Sequence, residues 1–278
     1  LNVSFTVPEL RREWGGCAGN IAYNLRMLGG EPVPMGTVGQ DFGPYRARLE
    51  ALGIDTACIT AVPDSYTAQA YITTDLDDNQ ITAFHPGAMA FAHRNSVADA
   101  QDIAIGIVSP DGRDGMLLHC RELAEEGIPF IFDPGQGLPL FERGELLEMI
   151  EQATWVAVND YEEKLLVERT GLGSEAIARR VEALIVTRGE HGSLIHTAGG
   201  RIEIPPVHAR AVRDPTGCGD AYRAGLLHGL LAEHEWPTVG RIASLLGALK
   251  IEHAGTQNHQ FTPAQFAERF EAEFGYAL

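Results

Sequence analysis

The chain has 278 residues, 45% of them hydrophobic, with a mean hydropathy of -0.08, so it can bury a full core and is neither disordered nor membrane-embedded in composition. A net charge of -17 excludes the basic surface that nucleic-acid polymers and anionic membranes require, but leaves room for a small phosphorylated ligand held by backbone amides. No apolar run reaches membrane-spanning length, no basic-then-apolar secretion signature opens the chain, and Cys17, Cys58, Cys120 and Cys218 form no CxxC pair, which predicts free thiols in a reducing cytoplasm and no zinc site.

The elements are predicted in chain order. Leu1–Val7 alternates like a strand with one exposed face. Gly15 to Gly19 make a small-residue loop running into a helix over Asn20–Leu28, whose apolar face is Ile21, Leu25 and Leu28 and whose stop is Gly29-Gly30. Thr67–Phe84 alternates again around a turn at Asp77-Asp78-Asn79, and with the first stretch it is expected to form a small sheet standing off the main body. From there β-branched runs alternate with helical patterns. Strands are expected at Ile103–Val108, Pro129–Phe132, Trp155–Val158 and Leu184–Thr187, with helices at Asp114–Glu126, Leu146–Gln152 and from Glu162 to Glu168. A turn over 188–192 leads into antiparallel edge strands Ser193–His196 and Arg201–Ile204, and helices over Ala221–Ala232, Thr238–His253 and Pro263–Glu273 follow. This alternation predicts an α/β fold, a doubly wound and mostly parallel sheet flanked by helices, in one domain spanning 1–278 with lid segments at about 1–14 and 66–92.

Asp133, Asn159 and Thr187 all fall at the C-terminal ends of predicted strands, the edge where open α/β sheets bind ligands. Asp214-Pro215-Thr216-Gly217-Cys218-Gly219-Asp220 combines with a helix start. Gly217, Cys218 and Gly219 leave N–H groups bare, and the helix adds its own, which makes an anion site with phosphate first in line. Asp220 reads either as a helix cap or as a base that takes a proton from a hydroxyl. Asn159 and Glu162 read either as a capping pair or as two groups aimed at one ligand. Only two lysines occur, Lys164 and Lys250, and no Gly-Lys pair, GxGxxG or His-Arg-Asp is present, so the Walker loop, the dinucleotide fingerprint and the protein-kinase signature are all absent.

Five pieces occur in order: Gly15-Gly16-x-x-x-Asn20, Gly36-x-Val38-Gly39-x-Asp41-x-x-Gly43, Asn159-x-x-Glu162, Thr187-x-Gly189-x-x-Gly192 and Asp214-x-Thr216-Gly217-x-Gly219-Asp220. Together they resemble the ribokinase (PfkB) family of small-molecule kinases over nearly the whole chain. The resemblance implies a doubly wound domain with a β lid and transfer of the ATP γ-phosphoryl group to an alcohol. It implies that Asp220 is the general base and that Gly217, Cys218 and Gly219 form the anion hole. It implies ATP contacts at Asn159, Thr187, Gly189, Gly217 and Gly219, magnesium held through phosphate and water by Asn159 and Glu162, and substrate contacts at Gly16, Asn20 and Asp220. Asp214 and the Thr216 carbonyl match a loop that holds a monovalent cation, potassium, in many members.

The family pattern has an earlier strand ending in a substrate-binding Asp, which is expected upstream of residue 1. Asp78-Asn79-Gln80-Ile81-Thr82, Phe132 to Leu140, and Asp220 to Gly225 resemble archaeal nucleoside kinases and bacterial adenosine kinases, which implies adenosine as acceptor, with ribokinase-like sugar phosphorylation and a non-catalytic nucleotide sensor as alternatives. Phe84, Met89 and Phe91 are candidates for a base platform or for ordinary packing, and Arg113 for a sugar-phosphate partner or for solvated surface. The edges of the lid sheet invite a homodimer.

Overall fold

The computed structural model describes residues 6, 7, 9–74 and 80–278. Its main sheet has six strands: β5 (Gly106–Val108), β6 (Phe130–Phe132), β7 (Trp155–Asn159), β8 (Ala183–Thr187), β9 (Ser193–Thr197) and β10 (Gly200–Ile204). The spatial order is β10-β9-β8-β7-β6-β5, parallel from β5 to β8 and antiparallel from β8 through β10. Both faces are covered, as the near-continuous apolar strands require. Alternate residues of one strand therefore enter different cores. Ala183 and Ile185 of β8 pack with α1 (Cys17–Met27), α7 (Cys218–Leu231), α8 (Trp236–Ile251) and α9 (Pro263–Phe274). Leu184 and Val186 pack with α3 (Arg113–Glu125), α4 (Arg143–Gln152), α5 (Asp160–Thr170) and α6 (Ser174–Ala178).

Helix limits follow side-chain chemistry. Asn159 caps α5 by accepting from the Tyr161 and Glu162 amides, and Gly171 closes it in the left-handed conformation. Thr262 and Gln265 form a capping box at the start of α9, with Pro263 as its first residue.

A second pair of strands, β1 (Gly36–Val38) and β2 (Ile59–Ala61), is parallel and joined through α2 (Gly43–Ala51). Val38, Phe42, Leu49, Ile54 and Ile59 form its own small core against Ala22 of α1. An antiparallel ribbon of β3 (Gln69–Thr74) and β4 (Gln80–His85) stands apart from both, with Tyr71, Ile72, Ile81 and Phe84 exposed. The Gly39 and Asp41 motif fastens this ribbon. A Cβ on Gly39 would lie 2.3 Å from the Tyr66 backbone, so only glycine lets the chains approach there. Asp41 accepts from the Thr67 amide and hydroxyl (2.7 and 2.8 Å) and from Gln69 Nε2 (2.9 Å).

Several expectations are adjusted. The strand expected over Ile103–Val108 shrinks to Gly106–Val108, because its partner strand is preceded by Pro129, which has no N–H to extend the ladder. Leu1–Phe5 of the first expected strand and the turn at Asp77–Asn79 lie outside the described residues, and Thr6 and Val7 carry no regular structure. Strands β1 and β2 and helices α2 and α6 were not expected; each is short, and the two strands carry no alternation long enough to read. Among the described residues no helix is long and apolar enough to cross a membrane.

Candidate active site

One cleft at the C-terminal ends of β5 to β8 is lined by the site residues expected from the sequence, except Cys218, Phe91 and Arg113. Helix α7 starts there. Gly217 precedes it in the left-handed region (φ 80°), which turns the chain so that the first amides of α7 face the cleft. One of the three expected donors is already used: the Cys218 N–H donates to the Pro215 carbonyl at 3.1 Å, closing a turn. The N–H groups of Gly217, Gly219 and Asp220 have no hydrogen-bond partner among the described residues. The nest therefore consists of Gly217, Gly219 and Asp220, with Cys218 as its structural link.

Asp220 stands in the first turn of α7 with its carboxylate between α1 and the sheet. Asn20 Nδ2 donates to its Oδ2 at 2.7 Å. Burial pushes the Asp220 carboxyl up to about 6; the Asn20 bond, the Arg223 charge and a Cys17 thiol hydrogen bond pull it down, and the Asp133 charge pushes it up. Asn20 is itself held, because Gln257 Nε2 donates to its Oδ1 at 3.0 Å and also to the Tyr45 hydroxyl at 2.5 Å. The substrate contact expected of Asn20 is thus reduced to the second hydrogen of its amide. Gly16 caps α1 with φ 87° and open space around its missing Cβ, so backbone conformation is what calls for glycine there. Burial raises the Cys17 thiol well above its ordinary value and the Cys218 thiol to about 11, so neither is a thiolate nucleophile at neutral pH.

Behind Asp220 lies a buried ion cluster. Arg223, one turn further along α7, donates from Nη2 to Asp133 Oδ1 at 2.9 Å and sits 3.9 Å from Glu162 Oε2. The Asp133 Oδ2 accepts from the Ser109 hydroxyl at 3.1 Å. Asp133 is therefore a partner of Arg223 rather than a free ligand at its strand end. Glu162 and Asn159 form the reciprocal capping box: Glu162 Oε2 accepts from the Asn159 N–H at 2.8 Å, and Asn159 Oδ1 from the Glu162 N–H at 2.8 Å. Glu162 Oε1 has no hydrogen-bond partner among the described residues and the residue lines the cleft, so capping leaves one oxygen available. Burial raises the Glu162 carboxyl and Arg223 opposes the rise. Thr187 and Gly189 stand at the end of β8, with the Thr187 hydroxyl donating to the Val158 carbonyl at 3.4 Å.

Among the described residues no group of three or more His, Cys, Asp or Glu could hold a metal by itself. Magnesium brought by nucleotide phosphates needs only one or two protein carboxylates, which Glu162 fits. Asp214 fits a free potassium ion poorly. Its carboxylate oxygens accept from the Thr216 and Gly255 amides (2.9 Å each), and its carbonyl accepts from the Lys250 ammonium at 2.6 Å. Two unit charges about 4 Å apart repel by about 4 kcal/mol at the effective dielectric of a site near the surface.

Two further expectations change, and one residue is added. Phe84 and Met89 line the cleft, but Phe91 does not; the Arg94 guanidinium covers its ring at 4.4 Å. Arg113 is spent on Glu145, on Asp114 (2.9 Å) and on the Leu140 carbonyl (3.2 Å), so it is not free for a sugar phosphate. Arg223 is the functional residue that the sequence reading leaves without a role; a lone arginine among the small residues of the Asp220 to Gly225 run is the available signal, and the structure shows it buried.

A mostly parallel sheet covered by helices on both faces, with an amide nest and a half-buried carboxylate at the C-terminal ends of its strands, suits a phosphoryl-transfer enzyme. The pfkB family carbohydrate kinase model matches residues 2–263, and the chain belongs to that family; it is an ATP-dependent kinase. It is 33% identical over 272 residues to the nucleoside kinase of Methanocaldococcus jannaschii, covering 97% of this chain and 89% of that one. It also resembles the solved structure of Burkholderia thailandensis nucleoside kinase in complex with inosine, at 56% identity and a TM-score of 0.95, covering 99% of this chain and 91% of that chain. The same enzyme in complex with ADP-inosine superposes with a TM-score of 0.93.

Proposed function

We propose that this kinase phosphorylates the primary hydroxyl of a purine nucleoside. Asp220 carries the reading: a carboxylate raised to about 6, held by Asn20 next to three open amides, takes the hydroxyl proton as the oxygen attacks the γ-phosphorus of ATP. The Gly217, Gly219 and Asp220 amides receive the charge that gathers on the transferring group. Asn159, Thr187 and Gly189 contact the nucleotide. Glu162 offers its open oxygen to the hydration shell of magnesium, which neutralises phosphate charge when bound. The two relatives named above, both nucleoside kinases, support the acceptor class. Adenosine, giving AMP, is the acceptor favoured by the resemblance of the Asp78–Thr82, Phe132 to Leu140 and Asp220 to Gly225 stretches to bacterial adenosine kinases, and inosine, which the Burkholderia thailandensis enzyme holds, is the nearest competitor.

The β3–β4 ribbon acts as a lid over the acceptor, with Phe84 of the ribbon and Met89 just beyond it among the apolar residues that line the cleft. Its exposed Tyr71, Ile72, Ile81 and Phe84 also pair two copies of the chain. A monomeric mass by light scattering at micromolar concentration overturns the dimer.

The test is ATP consumption against adenosine, inosine, other nucleosides, ribose, fructose and sugar phosphates. Nucleosides are expected to give the highest kcat/KM, adenosine first. Turnover with free sugars alone overturns the nucleoside reading in favour of a ribokinase-like activity.

A further inference from the structure

Lys250 is one of only two lysines in the chain and is completely buried. It stands in the last turn of α8, and its ammonium donates to the His253 carbonyl at 3.4 Å and to the Asp214 carbonyl at 2.6 Å. The first bond is ordinary, since a lysine near a helix end often covers the carbonyls there. The second reaches 36 residues back along the chain, to the loop that leads into Gly217. Both partners are neutral carbonyl oxygens. The adjacent Asp214 carboxylate is taken up by the Thr216 and Gly255 amides and closes the same loop from the other side. The amides of Arg213 and Asp214 in turn donate to the Ile251 carbonyl. A compact cation among carbonyl oxygens, next to one carboxylate, is how a dehydrated potassium ion is also held.

We propose that the Lys250 ammonium is a built-in monovalent cation: it ties the Asp214–Gly217 loop to the end of α8, so the amide nest keeps its shape without potassium. The chain thereby carries covalently the charge that the Asp214 and Thr216 loop pattern would otherwise recruit from solution. The consequence for turnover rests on the function proposed above; the consequence for folding does not.

The experiment compares wild-type protein with Lys250→Met and Lys250→Ala in choline chloride, titrated with potassium, ammonium or sodium at constant ionic strength. Melting temperature and phosphoryl transfer are both read. Wild-type values are expected to be the same in choline and in potassium. Lys250→Ala is expected to melt lower and turn over at least about tenfold more slowly in choline, a barrier change of the size one lost positioning contact gives. Potassium or ammonium, but not choline, then raises both values. Lys250→Met fills the space without the charge and is rescued less.

A wild-type enzyme that needs potassium overturns the proposal. So does a Lys250→Ala variant that is unaffected, or one whose losses are equal in choline and potassium. If that variant does not fold in choline, recovery of a cooperative melt in potassium supports the proposal, and failure in both salts counts against it. Should no acceptor be phosphorylated, the functional reading fails while the melting series still decides this one.

Discussion

Asn20 and Asp220 lie 200 residues apart in the chain and are joined by a 2.7 Å hydrogen bond, the amide donating to the carboxylate. The bond ties α1 to the start of α7 and fixes which way the carboxylate points. It also opposes burial in setting the proton affinity of Asp220, because it favours the charged form. Gln257 holds the far side of the Asn20 amide, so the orientation is determined from two directions.

Replacing the carboxylate tests the base directly. Asp220→Asn is expected to lower kcat by about 10²–10⁴-fold while nucleotide binding is retained. The same change affects stability in the opposite sense. Asp220 is raised to about 6 in the folded protein, against an unfolded carboxyl of about 4. The charged form therefore costs the folded state stability as pH rises through that window. Asp220→Asn should melt higher than wild type at pH 8 and equally at pH 4; a variant with near-normal turnover would sink the assigned role.

The acid limb of kcat/KM should bend at about 6 and fall tenfold per pH unit below it, as a base that must be ionised dictates. Asn20→Ala removes a bond that lowers this value, so the bend should move to higher pH. A pH profile of wild type and Asn20→Ala measures it. An unchanged bend with a lowered plateau would make Asn20 a purely structural contact.

Arg223 is the cation of a buried cluster containing Asp133 and Glu162. Arg223→Met leaves those carboxylates unpaired and should cost about 3–5 kcal/mol of stability, the usual result of removing one partner of a buried pair. Asp133→Asn combined with Arg223→Met should recover part of that loss, which chemical denaturation of wild type and the two variants measures. The Arg223 charge also lowers Asp220, so the single variant should shift the acid limb upward.

How far the sequence discloses this molecule follows from the range of the interactions involved. The nest at Gly217–Asp220, the cap at Asn159–Glu162 and the strand end at Thr187 are local patterns, and each is legible within seven residues. The apolar runs of β6, β7 and β8 are equally plain because both faces are buried. The partners of these residues are not local. Asp133 reads as a ligand because Arg223 is 90 residues away, and Lys250 reads as one polar residue in a helix because Asp214 precedes it by 36. Gly39 shows no reason for its identity until Tyr66 lies against it. The bare amide expected at Cys218 was lost to a turn with Pro215, a choice that depends on backbone angles.

The two positive-φ glycines beside Asp220 separate backbone strain from space. Gly16 (φ 87°, ψ 138°) has nothing within 4 Å of where a Cβ would stand, so Gly16→Ala should cost only the backbone conformation, a region essentially reserved to glycine, about 1–3 kcal/mol. Gly217 (φ 80°) has Thr256 Cβ and Cγ2 at 3.1 Å from that point and Asn20 Nδ2 at 3.5 Å. A methyl group there presses on the two side chains behind the nest. Thr256 resists, since its hydroxyl is bonded to the Trp14 carbonyl at 2.5 Å and Trp14 stacks on Tyr45 at 4.9 Å. Gly217→Ala should therefore displace the amide donors and lower kcat by about 10²–10³-fold, the loss seen when one such donor is removed. Gly16→Ala leaves the amide donors in place, so its effect is expected in KM for the acceptor and in the melting temperature rather than in a loss of kcat of about 10²–10³-fold. Equal losses of kcat in the two variants would mean that strain alone, and not the position of the donors, governs the rate.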